Sequence, residues 1–146
     1  MSKADTAAQF QDNYNCAQAT LAAYAGDFDM KTDTALSIAV GFGAGMGRKQ
    51  ETCGAVSAAI MVLGLASRFK EEDRRPKINE VYDKVYRFID EFTREEGTSN
   101  CRELLNCDLA TEEGQKFFKE NNLREKCRGY VRHCCELLDK YLAEGK

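Results

Sequence analysis

Apolar positions along this chain recur at intervals of three and four, not two. Phe10, Tyr14, Ala17, Leu21 and Tyr24 trace one face of a first helix that Gly26 can end. Thr32 or Asp33 can cap a second helix through ALSIAV, which runs into a glycine-rich stretch. Thr52 stands at the N-cap position of a third, CGAVSAAIMVLGLASRF, apolar almost all round and therefore expected to be the most buried helix. Pro76, the only proline, suits the first turn of a fourth helix, whose stripe includes Ile78, Val81, Val85, Ile89 and Phe92 and which Gly97 can close. Thr98 or Ser99 begins a short helix containing CRELL, and Thr111 caps another through EEGQKFF. A last helix carries Leu123, Cys127, Tyr130, Cys134, Leu138 and Tyr141 on one face, which turns Cys135 away from it. No stretch alternates convincingly between hairpin turns, and ALSIAV is strand-like only in composition. The pattern predicts one all-α domain over residues 1–146, a bundle of about five main helices plus short ones.

Charge narrows the function classes. The 21 basic and 24 acidic residues leave a net charge of −3, so no global field attracts nucleic acid. Mixed-sign segments such as RFKEEDRRPK read as solvated helix surface. The N-terminus lacks a signal-peptide pattern, and the most apolar window, Ala55 to Ala66, is too short to span a bilayer and contains Gly64. The expectation is a cytoplasmic protein without membrane insertion, in a compartment where thiols stay reduced. Seven cysteines are many for such a chain and point to metal, cluster or redox chemistry. The plain alternative is that several are small buried hydrophobes.

The stretch GFGAGMGRKQETCGAVSAA, residues 41–59, concentrates the candidate chemistry. Its glycine spacing fails the dinucleotide fingerprint, with Met46 or Arg48 where the third glycine belongs, and no P-loop follows it. Gly43, Gly45, Gly47 and Gly54 instead permit close backbone approach, either in a tight turn or with amides lying against a ligand. With Thr52 as N-cap, Cys53 becomes the first helical residue, where free amides and the helix dipole lower a thiol pKa. Arg48 and Lys49 lie upstream as added positive charge, so Cys53 is the candidate reactive thiol.

Cysteine spacing excludes as much as it offers. There is no C-x-x-C, no ferredoxin run and no C-x-x-C-H, and the single His133 has no second ligand at metal-motif spacing. A metal or cluster site must therefore be assembled from distant positions: Cys16, Cys53, Cys101 and Cys127 on separate helices.

Four segments, NYNCAQA, the glycine-rich stretch through Cys53, NCRELLNCDL and LREKCRGYV, resemble the bacterial and archaeal C_GCAxxG_C_C family of redox-active proteins. The likeness runs from about Tyr14 to the last helix and places the family's four signature cysteines at Cys16, Cys53, Cys101 and Cys127. Ala58 stands where the family motif ends in glycine, and Cys107, Cys134 and Cys135 lie outside the signature. The resemblance implies redox activity, an unnamed redox partner and a functional link to a transporter. A related cysteine region in split-Soret-type cytochromes is associated with an iron–sulfur centre.

Three readings stay open. The first is an iron–sulfur cluster held by Cys53, Cys101 and Cys127, with Cys16 or an exogenous ligand as the fourth. The second is metal-free thiol–disulfide chemistry, in which Cys53 attacks and Cys101 or Cys127 resolves. The third is a zinc-stabilised or plain helical interaction module. Whether the chain turns over a substrate, and whether it forms a homodimer, are also left open.

Overall fold

The computed structural model describes residues 1–144. Among them there are eight right-handed helices and no strand: α1 (Lys3–Gln11), α2 (Cys16–Ala25), α3 (Thr32–Ala39), α4 (Gly54–Ala66), α5 (Arg75–Glu96), α6 (Cys101–Leu105), α7 (Glu112–Glu120) and α8 (Arg124–Ala143). The all-α expectation holds, while the helix count rises above five. The expected first helix is in fact two. The chain breaks at Asp12–Asn15, because Asn15 forms a capping box with Gln18 that starts a new helix at Cys16.

Other boundaries follow local chemistry closely. Ser2 caps α1, Asn100 caps α6 and Thr111 caps α7, each accepting a backbone N–H in the first turn. Asn100 thus replaces the expected Thr98 or Ser99. Pro76 sits in the first turn of α5, and Gly97 ends that helix with φ +91°. Helix α4 begins one residue later than expected: Cys53 is its N-cap and Gly54 its first helical residue.

Helix α4 is the central element, as its all-round apolarity predicts. It packs against α2, α8 and α5, while α1 lies across α2 and α8. Alanines make this close. Ala17, Ala25, Ala55, Ala58 and Ala59 are fully buried, so backbones approach without large side chains between them. Ala58 lies in this packed seam, where its methyl is accommodated.

Long side chains close the other side. Phe88 and Phe92 of α5 are fully buried and meet Tyr141 and Tyr130 of α8 edge-on, at centroid distances of 5.4 and 6.3 Å. Burial of each ring contributes about 1.5–3 kcal/mol. Tyr24 of α2 donates its buried hydroxyl to Asp139 of α8 at 2.8 Å, with the Cys135 carbonyl oxygen 2.9 Å away. Cys135, turned away from the face of Cys127 and Cys134, is fully buried all the same, because α8 is covered on more than one side. Cys134 is fully buried as well, in the main core.

Between α3 and α4 the glycine-rich stretch takes a form the sequence does not announce. Residues 44–48 all have positive φ, from 54° to 72°, and Arg48 N–H bonds the Ala44 carbonyl at 3.1 Å. This is one turn of left-handed helix. Ala44, Met46 and Arg48 adopt it despite their Cβ atoms, at about 1–2 kcal/mol per residue.

Candidate functional site

The left-handed turn leads into a short antiparallel pairing that sets the site. Thr52 bridges Asn100, Cys53 N–H donates to the Ser99 carbonyl at 2.8 Å, and Cys101 N–H donates to Glu51 at 2.7 Å. Two cysteines nearly fifty residues apart are thereby held side by side. Gln50 locks the arrangement. Its side chain is buried, donates to the Cys107 carbonyl at 2.9 Å and accepts from Leu109 N–H at 2.8 Å. The same amide nitrogen lies 3.8 Å from Cys101 Sγ.

Cys16, Cys53, Cys101 and Cys127 line one cavity of about 160 Å³. The four expected ligands thus meet in a single chamber. Each sits at the start of a helix. Cys16 and Cys101 are first residues of α2 and α6, Cys53 is the N-cap of α4, and Cys127 lies in the first turn of α8. The position argued for Cys53 from sequence is occupied by Cys16.

Every one of these sulfurs has a positive partner. Cys16 Sγ faces the amides of Ala44, Ala17 and Ala55, besides its own. Cys53 faces those of Val56 and Ala55, without a full capping hydrogen bond. Cys101 has the Gln50 amide, and Cys127 has the Arg124 guanidinium. The left-handed turn has a visible consequence here, since it delivers Ala44 to the chamber wall.

Burial nevertheless dominates the free thiols. It raises Cys16, pushes Cys53 strongly up, and lifts Cys101 to about 11 and Cys127 to about 12. The expectation of a lowered Cys53 pKa is therefore corrected: only 5% exposed, its thiol loses more from desolvation than it gains from the helix terminus. Arg48 and Lys49 are exposed and lie outside the chamber lining. The donors are placed for sulfur that carries charge, while the enclosure disfavours charge unless something neutralises it. A coordinating cation, were one bound, would offset that cost, because it deprotonates a thiol outright.

The glycines divide by role. Gly54 lines the chamber, and a Cβ there would lie 2.7 Å from Cys16 Sγ and 2.8 Å from the Phe42 carbonyl oxygen. A Cβ on Gly45 would meet Cys101 Cβ at 2.8 Å, and one on Gly43 would strike the Asn15 side chain. These two allow packing around the cysteines and do not themselves line the cavity. Gly47 has open space around it and serves only the left-handed turn.

Several site residues escape the sequence reading: Gln11, Tyr14, Asn15 and Arg124 also line the chamber. A signal for two of the cysteines was present. N-C-A-Q at 15–18 and N-C-R-E at 100–103 are both capping sequences that place cysteine at the first helical position. Outside the chamber lining, Cys107 is half-buried against the small cluster of Cys101, Leu105, Leu109 and Leu123. His133 stacks on Phe92, with its ring nitrogens 2.6 and 3.4 Å from carboxylate oxygens of Glu95 and Glu96.

Among the described residues no helix is long and apolar enough to cross a membrane. No curated protein and no solved structure matches the chain. A family model does, over residues 14–141, a span containing all four chamber cysteines. The chain belongs to the C_GCAxxG_C_C family, whose description is "Putative redox-active protein (C_GCAxxG_C_C)".

Proposed function

We propose that the chamber binds an iron–sulfur cluster through Cys16, Cys53, Cys101 and Cys127, for electron transfer or redox sensing. The observation carrying this reading is that four thiols from four helix starts line one enclosure, with the Gln50 side-chain amide 3.8 Å from Cys101 Sγ and Arg124 in the same lining. Such donors tune thiolate ligands, and they have little purpose beside neutral thiols. The lining contains no carboxylate.

Among the described residues no three His, Cys, Asp or Glu side chains are grouped so as to hold a metal ion as they stand. What favours a cluster over zinc is cysteine spacing: structural zinc usually draws on closely spaced cysteine pairs, and Cys16, Cys53, Cys101 and Cys127 come singly from four helices. When bound, the cluster supplies one-electron chemistry. The protein's part is to exclude water with Leu104, Leu105 and Phe118 and to present amide hydrogens to the sulfurs.

Anaerobic purification with iron, acid-labile sulfide and visible-absorbance analysis tests the reading. Iron and sulfide in near-equal amounts, with charge-transfer absorbance, are expected. Protein free of both that also resists reconstitution would refute it and leave thiol–disulfide chemistry as the redox route.

A further inference from the structure

Beside the chamber lies a second depression, of about 470 Å³, walled in part by Arg48, Lys119, Arg124, Gln115 and Asn122. It shares Ala44, Leu109, Phe118 and Arg124 with the cysteine cavity, so one wall separates or joins the two. Three cations stand here without a carboxylate in the lining, on a chain of net charge −3. Ion pairs are common elsewhere on the surface, as in Arg128–Asp12 and Arg132–Asp5. Among the described residues none of Arg48, Lys119 and Arg124 has a carboxylate within ion-pair distance, although acidic residues outnumber basic ones.

A polar group without a partner stands on the inner side. Gln11 lines the cysteine cavity and is only 3% exposed, and its side-chain oxygen is buried without a hydrogen-bond partner. A guest oxygen would be met by a donor there once the amide makes a half-turn that exchanges its oxygen and nitrogen. Arg124, which donates to the Gln11 backbone carbonyl, stands beside it and belongs to both depressions.

We propose that this groove is the entry site for a small anionic redox substrate, an oxyanion or carboxylate drawn in by Arg48, Lys119 and Arg124 and presented to the cysteine chamber. The proposal rests on the chamber being the redox centre, and it names the substrate's charge class. A cleft lined by one sign of charge raises the local concentration of its counter-ion and its rate of arrival.

The test uses metal-free, reduced, full-length protein and two thiol probes of similar size. One is anionic, sulfonatoethyl methanethiosulfonate; the other is cationic, trimethylammonioethyl methanethiosulfonate. Modification at Cys101 and Cys127 is followed by peptide mass spectrometry, and the anion-to-cation rate ratio is compared with that of the chain unfolded in urea. The folded protein should prefer the anion by on the order of tenfold, and less so in high salt, because the cations are exposed. The triple variant Arg48→Gln, Lys119→Gln, Arg124→Gln should bring the ratio near that of the unfolded chain. The triple variant Lys31→Gln, Lys70→Gln, Arg75→Gln, an equal charge change away from both depressions, should leave it unchanged. A wild-type ratio equal to the unfolded one overturns the proposal, as does a triple variant that keeps the preference. So does failure of both probes to reach either cysteine. Iron and sulfide analysis reports separately on the cluster, so the two ideas fail independently.

Discussion

Gly54 shows how one missing Cβ shapes the chamber. It begins α4, and an added methyl would press on Cys16 Sγ and on the Phe42 carbonyl, neither of which is a flexible chain end. Gly64 lies on the same helix with open space around its Cβ position. The two should respond oppositely to alanine. Gly64→Ala should gain about 0.5–1 kcal/mol from helix propensity, whereas Gly54→Ala should lose about 1–3 kcal/mol from overpacking. Urea unfolding of both variants checks the signs. Equal effects would mean that Cys16 does not depend on the gap at Gly54. The glycine-rich stretch was legible as backbone able to come close to a neighbour or a ligand, and the close approaches observed are to Cys16, Cys101 and Asn15. Spacing along the chain says that backbone can come near something. It does not say which distant side chain arrives.

Gln50 ties together elements far apart in sequence. It lies in left-handed conformation at the end of the turn after α3 and bonds the loop following α6. Gln50→Ala would leave a buried Leu109 N–H and the Cys107 carbonyl without partners, an expected loss of about 2–3 kcal/mol. Denaturation of the metal-free variant measures it, and a loss below about 0.5 kcal/mol would show that water replaces the side chain. Helix identities were largely legible from apolar periodicity, whereas of the N-caps read from sequence only Thr111 of α7 stands where expected: Lys31, not Thr32 or Asp33, precedes α3, and Cys53, not Thr52, precedes α4, neither with a side-chain cap. The Asp12–Asn15 break was missed because apolar residues continue in register across it, and only the Asn15–Gln18 capping box reveals the restart. The burial of Cys135, off the main stripe, was not legible for a related reason. A helix packed on two sides has no single buried stripe, and sequence periodicity cannot count a helix's neighbours.

Taken whole, the molecule encloses its cysteines and thereby sets its response to pH. Burial holds Cys101 near 11, and Cys127 and Cys135 near 12, against an ordinary thiol value of 9.0. A raised pKa means that the unfolded chain ionises first. The stability contributed by these thiols is therefore complete below pH 9 and is lost as pH rises toward 11–12. The metal-free, reduced protein should unfold at a lower urea concentration at pH 10 than at pH 7.5. A flat profile over that interval would mean that water reaches the chamber freely. The all-α class and the four converging cysteines could be read from the chain, since both rest on residue types and their contexts. The cationic groove could not, because Arg48, Lys119 and Arg124 come from three separate segments and a net charge averages them away.

The central claim is that Cys16, Cys53, Cys101 and Cys127 act together as ligands of one cluster. Iron content per chain, measured after anaerobic reconstitution, tests it most directly in single Cys→Ser variants of all seven positions. The account predicts that serine at 16, 53, 101 or 127 lowers bound iron severalfold, while serine at 107, 134 or 135 leaves it near the wild-type value in folded protein. Wild-type protein that takes up no iron, or equal losses at all seven positions, would contradict it.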